Sequence, residues 1–463
     1  MRHLLFILLL TAANAAERPN LLFITVDDMN RDSVGAYGCP IKDITPNMDK
    51  LAAQGQAFDR GFVTIAICQP TRAVWMTGRY PHRNGALGFD HINADCPSLP
   101  EALAKGGYFN ALLGKVVHVI PTRHAAFDLI RTQGDIGQGR DPAAYATAIR
   151  DSIAGAEKAG KPFFIMANAH DPHRPFSGSK GDDKKLPPVT RRITPEEVIV
   201  PGFLPDLPDI RTELADYFTS CHRADEVVGA IMAEIDKAGL ADNTLVIFVS
   251  DHGMPLPFAK TNCYLASNAT PWIVRWPGHA KPGTRDEKHF VSGIDIAPTF
   301  LAAAGLENLP GADGSSILPI LEGKDQAERN KVFTSINAPH SNKPFPMRAI
   351  NDGDYLYIWN GWADGETQFR NESMSGLTYK AMKAAAKTDT AIAARVKLYD
   401  HRVREELYDV RIDPFCLNNL ITKPNDKFSP RTSAMTKALW HQMKDTDDTQ
   451  LKRFQSQVEL ALD

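Results

Sequence analysis

Four short apolar segments in the first 250 residues each end in polar, chemically active side chains. They cover residues 21–26, 108–113, 163–169 and 245–250, and each is almost continuously apolar over the length of one strand. Such runs are typical of strands that are buried on both faces of a mainly parallel sheet. Because ligands bind beyond the carboxyl ends of the strands in open α/β sheets, we expect the polar side chains that follow these strands to converge.

The segments between these strands carry helix signals. Thr45 and Pro46 provide an N-cap and a first-turn proline for one helix. Periodic apolar residues predict a long amphipathic helix over 210–239 and another helix over 296–304. Strands and helices alternate to about residue 340, and this alternation predicts an α/β fold with a large, doubly wound, mostly parallel sheet flanked by helices.

Near the C-terminus the pattern changes to shorter strands and more polar helices. Residues 347–360 are typical of two strands joined by a turn, and residues 406–409 form another short strand-like run. Helices are predicted over 379–396 and from about residue 430. These signals predict a small C-terminal domain with an antiparallel sheet.

The first residues resemble a secretion signal. Basic residues at positions 2–3 precede an apolar run over 4–10, and alanines at 13 and 15 give the small-x-small pattern of a cleavage site. The apolar run is too short to span a bilayer, so we expect export to a periplasm or beyond and no membrane span. The chain therefore divides into a signal peptide over 1–15, a large N-terminal catalytic domain over 16–343 and a small α+β domain over 344–463.

Charge and cysteine content exclude several classes of protein. Lysine and arginine total 52 and aspartate and glutamate total 55, so the net charge of −3 gives no overall positive field for a polyanion. We expect no nucleic-acid partner, and we expect a few placed cations to bind any anionic substrate. The six cysteines lack the spacing of a zinc site or of a dense disulfide framework, and whether one or two disulfides form stays open.

The most informative string runs from Cys68 through Gln69, Pro70 and Thr71 to Arg72. Cys68 lies just ahead of a predicted helix, whose unpaired backbone N–H groups and dipole favour an anion, and Arg72 lies one turn further on. This position suits a thiolate, or a bound sulfate or phosphate group. From these residues alone, a nucleophilic cysteine and a buried structural cysteine are both open.

The same string resembles the signature of the sulfatase family, C-x-P-S/T-R-x4-T-G, and matches it from Cys68 through Gly78. In that family a separate maturation enzyme oxidises the cysteine to Cα-formylglycine, whose hydrated aldehyde is the nucleophile. The resemblance implies an alkaline-phosphatase-like fold and a sulfuric ester or sulfamidate hydrolase. It also implies that a formylglycine-generating enzyme is a partner of this chain.

Carboxylates follow two of the predicted strands: Asp27 and Asp28 follow the first, and Asp251 follows the last. With a hydrate oxygen on residue 68 they form a set of hard oxygen ligands suited to one Ca²⁺ ion, and without a cation they repel one another. The family usually has asparagine where this chain has His252, whereas sulfatases similar to iduronate-2-sulfatase have the same Asp-His pair. We therefore include His252 among the metal ligands, although imidazole is a poorer ligand for calcium than an amide oxygen.

The resemblance also assigns catalytic roles at the sulfate. Lys115 and His118 lie in an element similar to the family's Gly-Lys-x-x-His, and Lys260 lies nine residues past Asp251. The two lysines and Arg72 then surround the sulfate and stabilise its charge. Asp251 helps to generate the attacking oxyanion, and His118 removes the second hydroxyl proton when the enzyme-bound sulfate ester breaks down.

The string from His170 to Arg174 is expected to contact the rest of the substrate. A histidine suits general-acid chemistry near neutral pH, and the resemblance favours His173 as the residue that protonates the leaving group. His170 is the second histidine of the string. Asp171 and Arg174 lie where sugar hydroxyls or a carboxylate can be bound, and structural roles for both residues are the alternative.

Three stretches resemble the sulfatases that act on N-sulfoglucosamine, the heparan N-sulfatases, and these stretches are residues 170–174, 242–257 and 260–264. His252 and Lys260 instead resemble iduronate-2-sulfatases. The leading hypothesis is an exported, calcium-dependent and formylglycine-dependent sulfatase that acts on the ends of sulfated saccharides of the heparan sulfate type, with N-sulfoglucosamine as the leading substrate. The alternatives are an exo-O-sulfatase on another polysaccharide, a phosphatase or phosphodiesterase on the same fold, and an inactive glycan-binding protein. The sequence does not indicate an oligomeric state.

Overall fold

The positions of the strands are given by a computed structural model that describes residues 18–119, 123–339 and 343–459. The predicted signal peptide over 1–15 lies outside these residues. The described strands form an eight-stranded sheet, a two-stranded sheet and a four-stranded sheet. In the same three ranges, no helix combines the length and the apolar character that crossing a membrane requires.

The two sheets of the N-terminal part contain ten strands among the described residues. In chain order they are β1 (Asn20–Val26), β2 (Gln56–Phe58), β3 (Gly61–Phe62), β4 (Phe109–Leu113), β5 (Leu129–Arg131), β6 (Phe163–Asn168), β7 (Thr244–Ser250), β8 (Trp272–Arg275), β9 (Thr284–Asp286) and β10 (Val291–Ser292). The large sheet has the order β5-β4-β6-β1-β7-β8-β2-β9, whereas β3 pairs with β10. The four predicted apolar runs are β1, β4, β6 and β7, and they are parallel neighbours in the centre of the sheet.

Helices cover both faces of this sheet. In chain order they are α1 (Pro46–Gln54), α2 (Cys68–Thr77), α3 (Pro81–Asn84), α4 (Leu99–Lys105), α5 (Val116–Val119), α6 (Pro142–Ala159), α7 (Pro208–Lys237), α8 (Leu265–Asn268), α9 (Ile296–Ala303) and α10 (Leu318–Leu321). Leu22 and Ile24 of β1 belong to the same apolar cluster as α6 and α7, whereas Leu21 and Phe23 belong to the cluster of α4 and α9. Alternate residues of a strand point to opposite faces, so the predicted doubly wound arrangement is confirmed.

The C-terminal part contains the predicted antiparallel sheet. Its strands are β11 (Val332–Ile336), β12 (Met347–Asn351), β13 (Tyr355–Asn360) and β14 (Glu405–Asp409), each antiparallel to the next. Its described helices are α11 (Leu377–Ala385), α12 (Thr390–His401), α13 (Pro430–Asp445) and α14 (Leu451–Val458). Strand β11 precedes residue 344, and the boundary placed there stays a prediction.

The single helix expected over 379–396 is wrong. The structure has two helices, α11 and α12, because Asp389 caps a new helix instead of continuing the old one. Its side chain accepts hydrogen bonds from the backbone N–H groups of Ala391 and Ile392. An acidic N-cap of this kind starts a helix. The segment is polar on both sides of Asp389, so its composition gave no sign of the break between the two helices.

A buried acid joins the small sheet to the large domain. Glu406 of β14 is fully buried, and it accepts hydrogen bonds from the hydroxyl of Tyr264 at 2.8 Å and from the side-chain amide of Asn360 at 2.6 Å. Tyr264 belongs to the loop that begins at Lys260. The small sheet therefore helps to fix the path of this loop.

We expect Glu406→Ala to lower the free energy of unfolding by about 3 kcal/mol, because it leaves buried polar partners unsatisfied. The measurement is the midpoint of thermal unfolding, with the exposed Glu307→Ala as the control. Equal midpoints for the two variants would contradict a supporting role for Glu406.

Candidate active site

The predicted site residues meet at one edge of the large sheet. Asp27 and Asp28 follow β1, and Asp251 and His252 follow β7. The backbone N–H of Asp28 donates to Oδ1 of Asp251 at 2.8 Å, which joins the ends of these two strands. The N–H of Asp27 donates to the carbonyl of Asp171 at 3.0 Å, which joins the end of β1 to the segment after β6. The predicted convergence of the strand ends is observed.

A compact group of side chains of the types that bind metals lies at the centre of this edge. Asp27, Asp28, Asp251 and His252 are fully buried, and Cys68 is 3% exposed. The Cys68 Sγ atom lies 3.5 Å from Oδ1 of Asp27 and 3.3 Å from Nε2 of His252. Asp27, Asp28, Cys68 and His252 each offer a ligand atom within 4.8 Å of the others, so this group could hold a metal ion.

The orientation of His252 suits metal binding. Its Nδ1 lies 3.1 Å from the carbonyl oxygen of Gly253. Because a carbonyl only accepts hydrogen bonds, we assign the ring proton to Nδ1. This leaves the lone pair of Nε2 directed towards Cys68, and burial lowers the pKa of His252, so the ring is neutral. Buried carboxylate oxygens with one neutral imidazole nitrogen fit a divalent cation.

The three carboxylates have very different proton affinities. Burial favours protonated Asp27, but the charges of Lys115 and Arg72 outweigh it and hold the pKa of Asp27 well below its usual value. Burial raises the pKa of Asp28, and burial together with the charge of Asp27 raises the pKa of Asp251 to about 7. Additional positive charge is therefore needed to keep all three ionised together.

Arg72 connects the nucleophile position to the third carboxylate. One guanidinium nitrogen, Nη1, donates to Oδ2 of Asp251 at 2.7 Å and to the carbonyl of Cys68 at 3.1 Å. Cys68 is the first residue of α2, so Arg72 lies one helical turn further along the same helix. The helix thus holds both residues in a fixed relation.

Lys115 reaches the carboxylates because of a sharp turn after β4. Gly114 and Lys115 both have left-handed backbone conformations, with φ of 73° and 50°. A Cβ atom on Gly114 would lie 2.6 Å from the carbonyl oxygen of Asn168, so only glycine fits there. The turn brings the Lys115 side chain into an ion pair with Asp27.

Lys260 is buried beside Asp28, the second carboxylate that follows β1. Its Nζ lies 3.0 Å from Oδ1 of Asp28, and this ion pair raises its pKa well above the usual value although burial opposes the charge. The same Nζ lies 2.8 Å from Oε2 of Glu372. Lys260 therefore lies between two acids that come from different parts of the chain.

Three histidines surround the group. Nδ1 of His170 lies 3.9 Å from Asp27, and the rings of His170 and His173 are 4.9 Å apart. His118 packs its ring edge to face against the half-exposed Phe89. Burial and the charges of the neighbouring lysines lower the pKa of His173 to about 4 and that of His118 to about 3.

Asp171 does not lie where a sugar could reach it. Its side chain is fully buried, and its carboxylate accepts hydrogen bonds from Nε of Arg140 at 2.9 Å and from Nη2 of Arg223 at 3.1 Å. Nε of Arg223 bonds the second oxygen. The expected substrate contact is therefore corrected to a supporting role, in which Asp171 fixes the segment after β6. No motif in the sequence linked either arginine to it.

Arg174 is also held by protein groups. Its guanidinium lies 2.8 Å from Glu213 of α7, and it donates a second hydrogen bond to the carbonyl of Pro255. Its side chain is 18% exposed. Part of Arg174 thus faces solvent, and its contact with substrate stays a prediction.

Glu372 is a member of the site that the sequence did not indicate. It lies between β13 and α11, about 110 residues after Lys260, and its Oε1 is 3.8 Å from Nε2 of His173. Burial would raise its pKa, but the charge of Lys260 outweighs this and lowers the pKa to about 2. Glu372 is therefore an anion. Only the folding of the C-terminal part against the sheet brings it to the site.

We expect Asp171→Asn to lower the melting temperature and kcat together, because the neutral amide removes the counter-charge of buried Arg140 and one of the two counter-charges of buried Arg223. The measurements are thermal unfolding and steady-state kinetics with any accepted substrate, with exposed Asp135→Asn as the control. A rise in KM alone, with stability unchanged, would restore the substrate contact.

This chain is similar in sequence to known sulfatases. The family model described as Sulfatase matches residues 19–306. The human N-sulphoglucosamine sulphohydrolase is 30% identical over 90% of this chain and 89% of its own length. An ulvan-active sulfatase of Formosa agariphila is also 30% identical, over 89% of this chain and 78% of its own length.

Solved structures share the fold at lower sequence identity. The phosphonate monoester hydrolase of Agrobacterium radiobacter has a TM-score of 0.70 and 19% identity, over 93% of this chain and 96% of its own. This likeness supports the sulfatase and alkaline-phosphatase-like fold. The signature at Cys68, the family match and the extent of the two 30% identities together show that the chain belongs to the sulfatase family of sulfate ester and sulfamidate hydrolases.

Proposed function

We propose that this chain is an exported sulfatase that removes the N-sulfate group from glucosamine at the end of sulfated saccharides of the heparan sulfate type. The observation that carries the proposal is the position of Cys68, on the first residue of α2 and within 3.5 Å of Asp27. The similarity to the human N-sulphoglucosamine sulphohydrolase over 90% of the chain supports the choice of substrate. The predicted signal peptide supports export.

Residue 68 acts after maturation to Cα-formylglycine, whose hydrated aldehyde supplies an oxygen nucleophile for the sulfur atom. The unmodified side chain is poorly suited to this task. Burial and the charge of Asp27 raise the pKa of the Cys68 thiol well above its usual value. A neutral thiol is a weak nucleophile, so the surroundings of Cys68 favour a different attacking group.

One Ca²⁺ ion would be held by Asp27, Asp28, Asp251, His252 and residue 68. When bound, the ion supplies the positive charge that keeps the carboxylates ionised and polarises the sulfate. The oxygen-rich ligand set favours calcium, and the lone pair of Nε2 on His252 completes it. Asp251, held by Arg72, is also placed to draw the proton from the nucleophile.

Positively charged side chains bind the sulfate group. Arg72, Lys115 and Lys260 surround the carboxylates in fixed positions, so they require little reorganisation as negative charge moves in the transition state. Water is largely excluded, because Lys115 and Lys260 are only 5% and 3% exposed. The three cationic side chains therefore attract the sulfate more strongly here than they would on an open surface.

Histidines move the protons. Nδ1 of His173 lies 2.6 Å from the carbonyl oxygen of Arg174, which fixes one proton on Nδ1, so Nε2 takes up a second proton before the ring protonates the leaving group. His118 takes the proton that releases the sulfate from residue 68. The contact with Phe89 orients its ring, and its low pKa keeps it in the neutral form that accepts a proton. His170 and Arg174 border the space for the sugar.

A second candidate is an exo-O-sulfatase on another sulfated polysaccharide. The ulvan-active sulfatase and the human N-sulphoglucosamine sulphohydrolase are both 30% identical to this chain. Sequence identity therefore supports this alternative as well. A phosphatase or phosphodiesterase has less support, because the fold alone is shared with a phosphonate hydrolase whereas the Cys68 signature is typical of sulfatases.

The deciding experiment is sulfate release from N-sulfoglucosamine and from 6-O- and 2-O-sulfated sugars, with the conversion of residue 68 verified by peptide mass. We expect release from N-sulfoglucosamine, and we expect Cys68→Ala to lower it by at least about 1,000-fold because the nucleophile is lost. Cys96→Ala is a matched control, because Cys96 is also buried but lies outside the site. Release only from O-sulfated sugars would establish the second candidate.

Removing divalent cations should lower the melting temperature, because the buried carboxylates then repel one another. We expect Ca²⁺ to restore the melting temperature of the wild type and to have little effect on Asp28→Asn. The measurement is differential scanning fluorimetry after treatment with a chelator, with Mg²⁺ for comparison. An unchanged melting temperature on Ca²⁺ addition would contradict the calcium assignment.

A further inference from the structure

Glu372 has no part in the reaction as described above. Its carboxylate lies 2.8 Å from Nζ of Lys260 and 3.8 Å from Nε2 of His173, and its side chain is 38% exposed. It therefore borders space that a substrate can enter. A carboxylate beside a lysine that binds sulfate opposes the binding of the anion, so its presence calls for a different role.

The atom that Glu372 faces is the one that transfers the proton. Since Nδ1 of His173 donates to the carbonyl of Arg174, Nε2 is the atom that meets the leaving group. Asp28, His173 and Glu372 also each offer an atom within 4.8 Å of the others. The leaving atom of the substrate and the Glu372 carboxylate must then lie near the same ring nitrogen.

We propose that Glu372 is the residue that selects an amine leaving group, by stabilising positive charge on the nitrogen of N-sulfoglucosamine and on the glucosamine product. This inference rests on the function proposed above. Nε2 of His173, whose side chain is 22% exposed, first takes up a proton from solvent beside the Glu372 carboxylate. The imidazolium then passes this proton to the sulfamate nitrogen, which becomes positively charged. The S–N bond then breaks with its electron pair going to nitrogen, while the sulfuryl group forms a bond to the attacking oxygen. The amine leaves neutral and becomes an ammonium ion by taking up a proton from solvent.

The charge of the leaving group separates the two classes of substrate. The nitrogen of a sulfamate is cationic once it is protonated, and free glucosamine is an ammonium ion at neutral pH. The alcohol released from an O-sulfate is neutral, so an adjacent carboxylate stabilises it much less. The carboxylate of a sulfated uronic acid is repelled by Glu372. Both effects favour an N-sulfated amino sugar.

The test compares wild type, Glu372→Gln and Glu372→Asp, each with residue 68 converted to the same extent. We expect Glu372→Gln to lower kcat/KM for N-sulfoglucosamine by at least about 10-fold, because it removes a counter-charge with little change in shape. Glu372→Asp keeps the charge and should recover part of the loss. Glu366→Gln is the control, because Glu366 is exposed and belongs to the same connecting segment.

Inhibition constants show whether Glu372 binds the positively charged amine or only holds Lys260 in position. In Glu372→Gln we expect inhibition by glucosamine to weaken several-fold, inhibition by N-acetylglucosamine to stay unchanged, and inhibition by inorganic sulfate to stay equal or strengthen. Weaker inhibition by sulfate, in parallel with the loss of kcat/KM, would show that Glu372 only positions Lys260. Unchanged inhibition by glucosamine would also overturn the proposal.

The two proposals fail in different ways. A fully converted wild type that releases no sulfate from N-sulfoglucosamine overturns the proposed function, and the role of Glu372 is overturned with it. A wild type that is active on N-sulfoglucosamine, with a Glu372→Gln variant that keeps the same kcat/KM, overturns only the role of Glu372.

Discussion

The structure depends on the burial of three like charges at one edge of a sheet. Asp27, Asp28 and Asp251 have no exposed surface, and the short distances between the ends of β1 and β7 keep them together. Such a cluster is stable only when cations surround it. The chain supplies Arg72, Lys115 and Lys260, and carboxylates of this cluster could also hold a metal ion together with Cys68 and His252.

The order of the strands in the sheet brings these side chains together. The parallel order β4-β6-β1-β7 brings four carboxyl ends to one edge, so each strand adds its own polar residue without a long loop. Helix α2 adds Cys68 and Arg72 as one rigid pair. The supporting ion pairs between Asp171, Arg140 and Arg223 then fix the segment that carries the histidines.

The sequence was sufficient for the features that depend on local patterns. The four central strands were predicted because continuous apolar runs mark strands buried on both faces, and the Cys68 string was recognised because it resembles the signature of the sulfatase family. Asp171 was misassigned because its arginine partners lie 31 and 52 residues away. Glu372 was missed for the same reason, since its segment shows no apolar period or motif. Long-range charge pairing leaves no local signal.

The burial of Cys68 limits the time at which this side chain can be modified. Its sulfur atom is covered by His252, a residue that leaves the ribosome about 184 residues later. Any maturation enzyme that acts on this side chain must reach it before β7 joins the sheet, because a folded domain leaves it only 3% exposed. If residue 68 is converted to formylglycine as proposed, the fraction of active enzyme depends on the relative rates of modification and folding. A variant that folds faster would then be less active although its structure is intact.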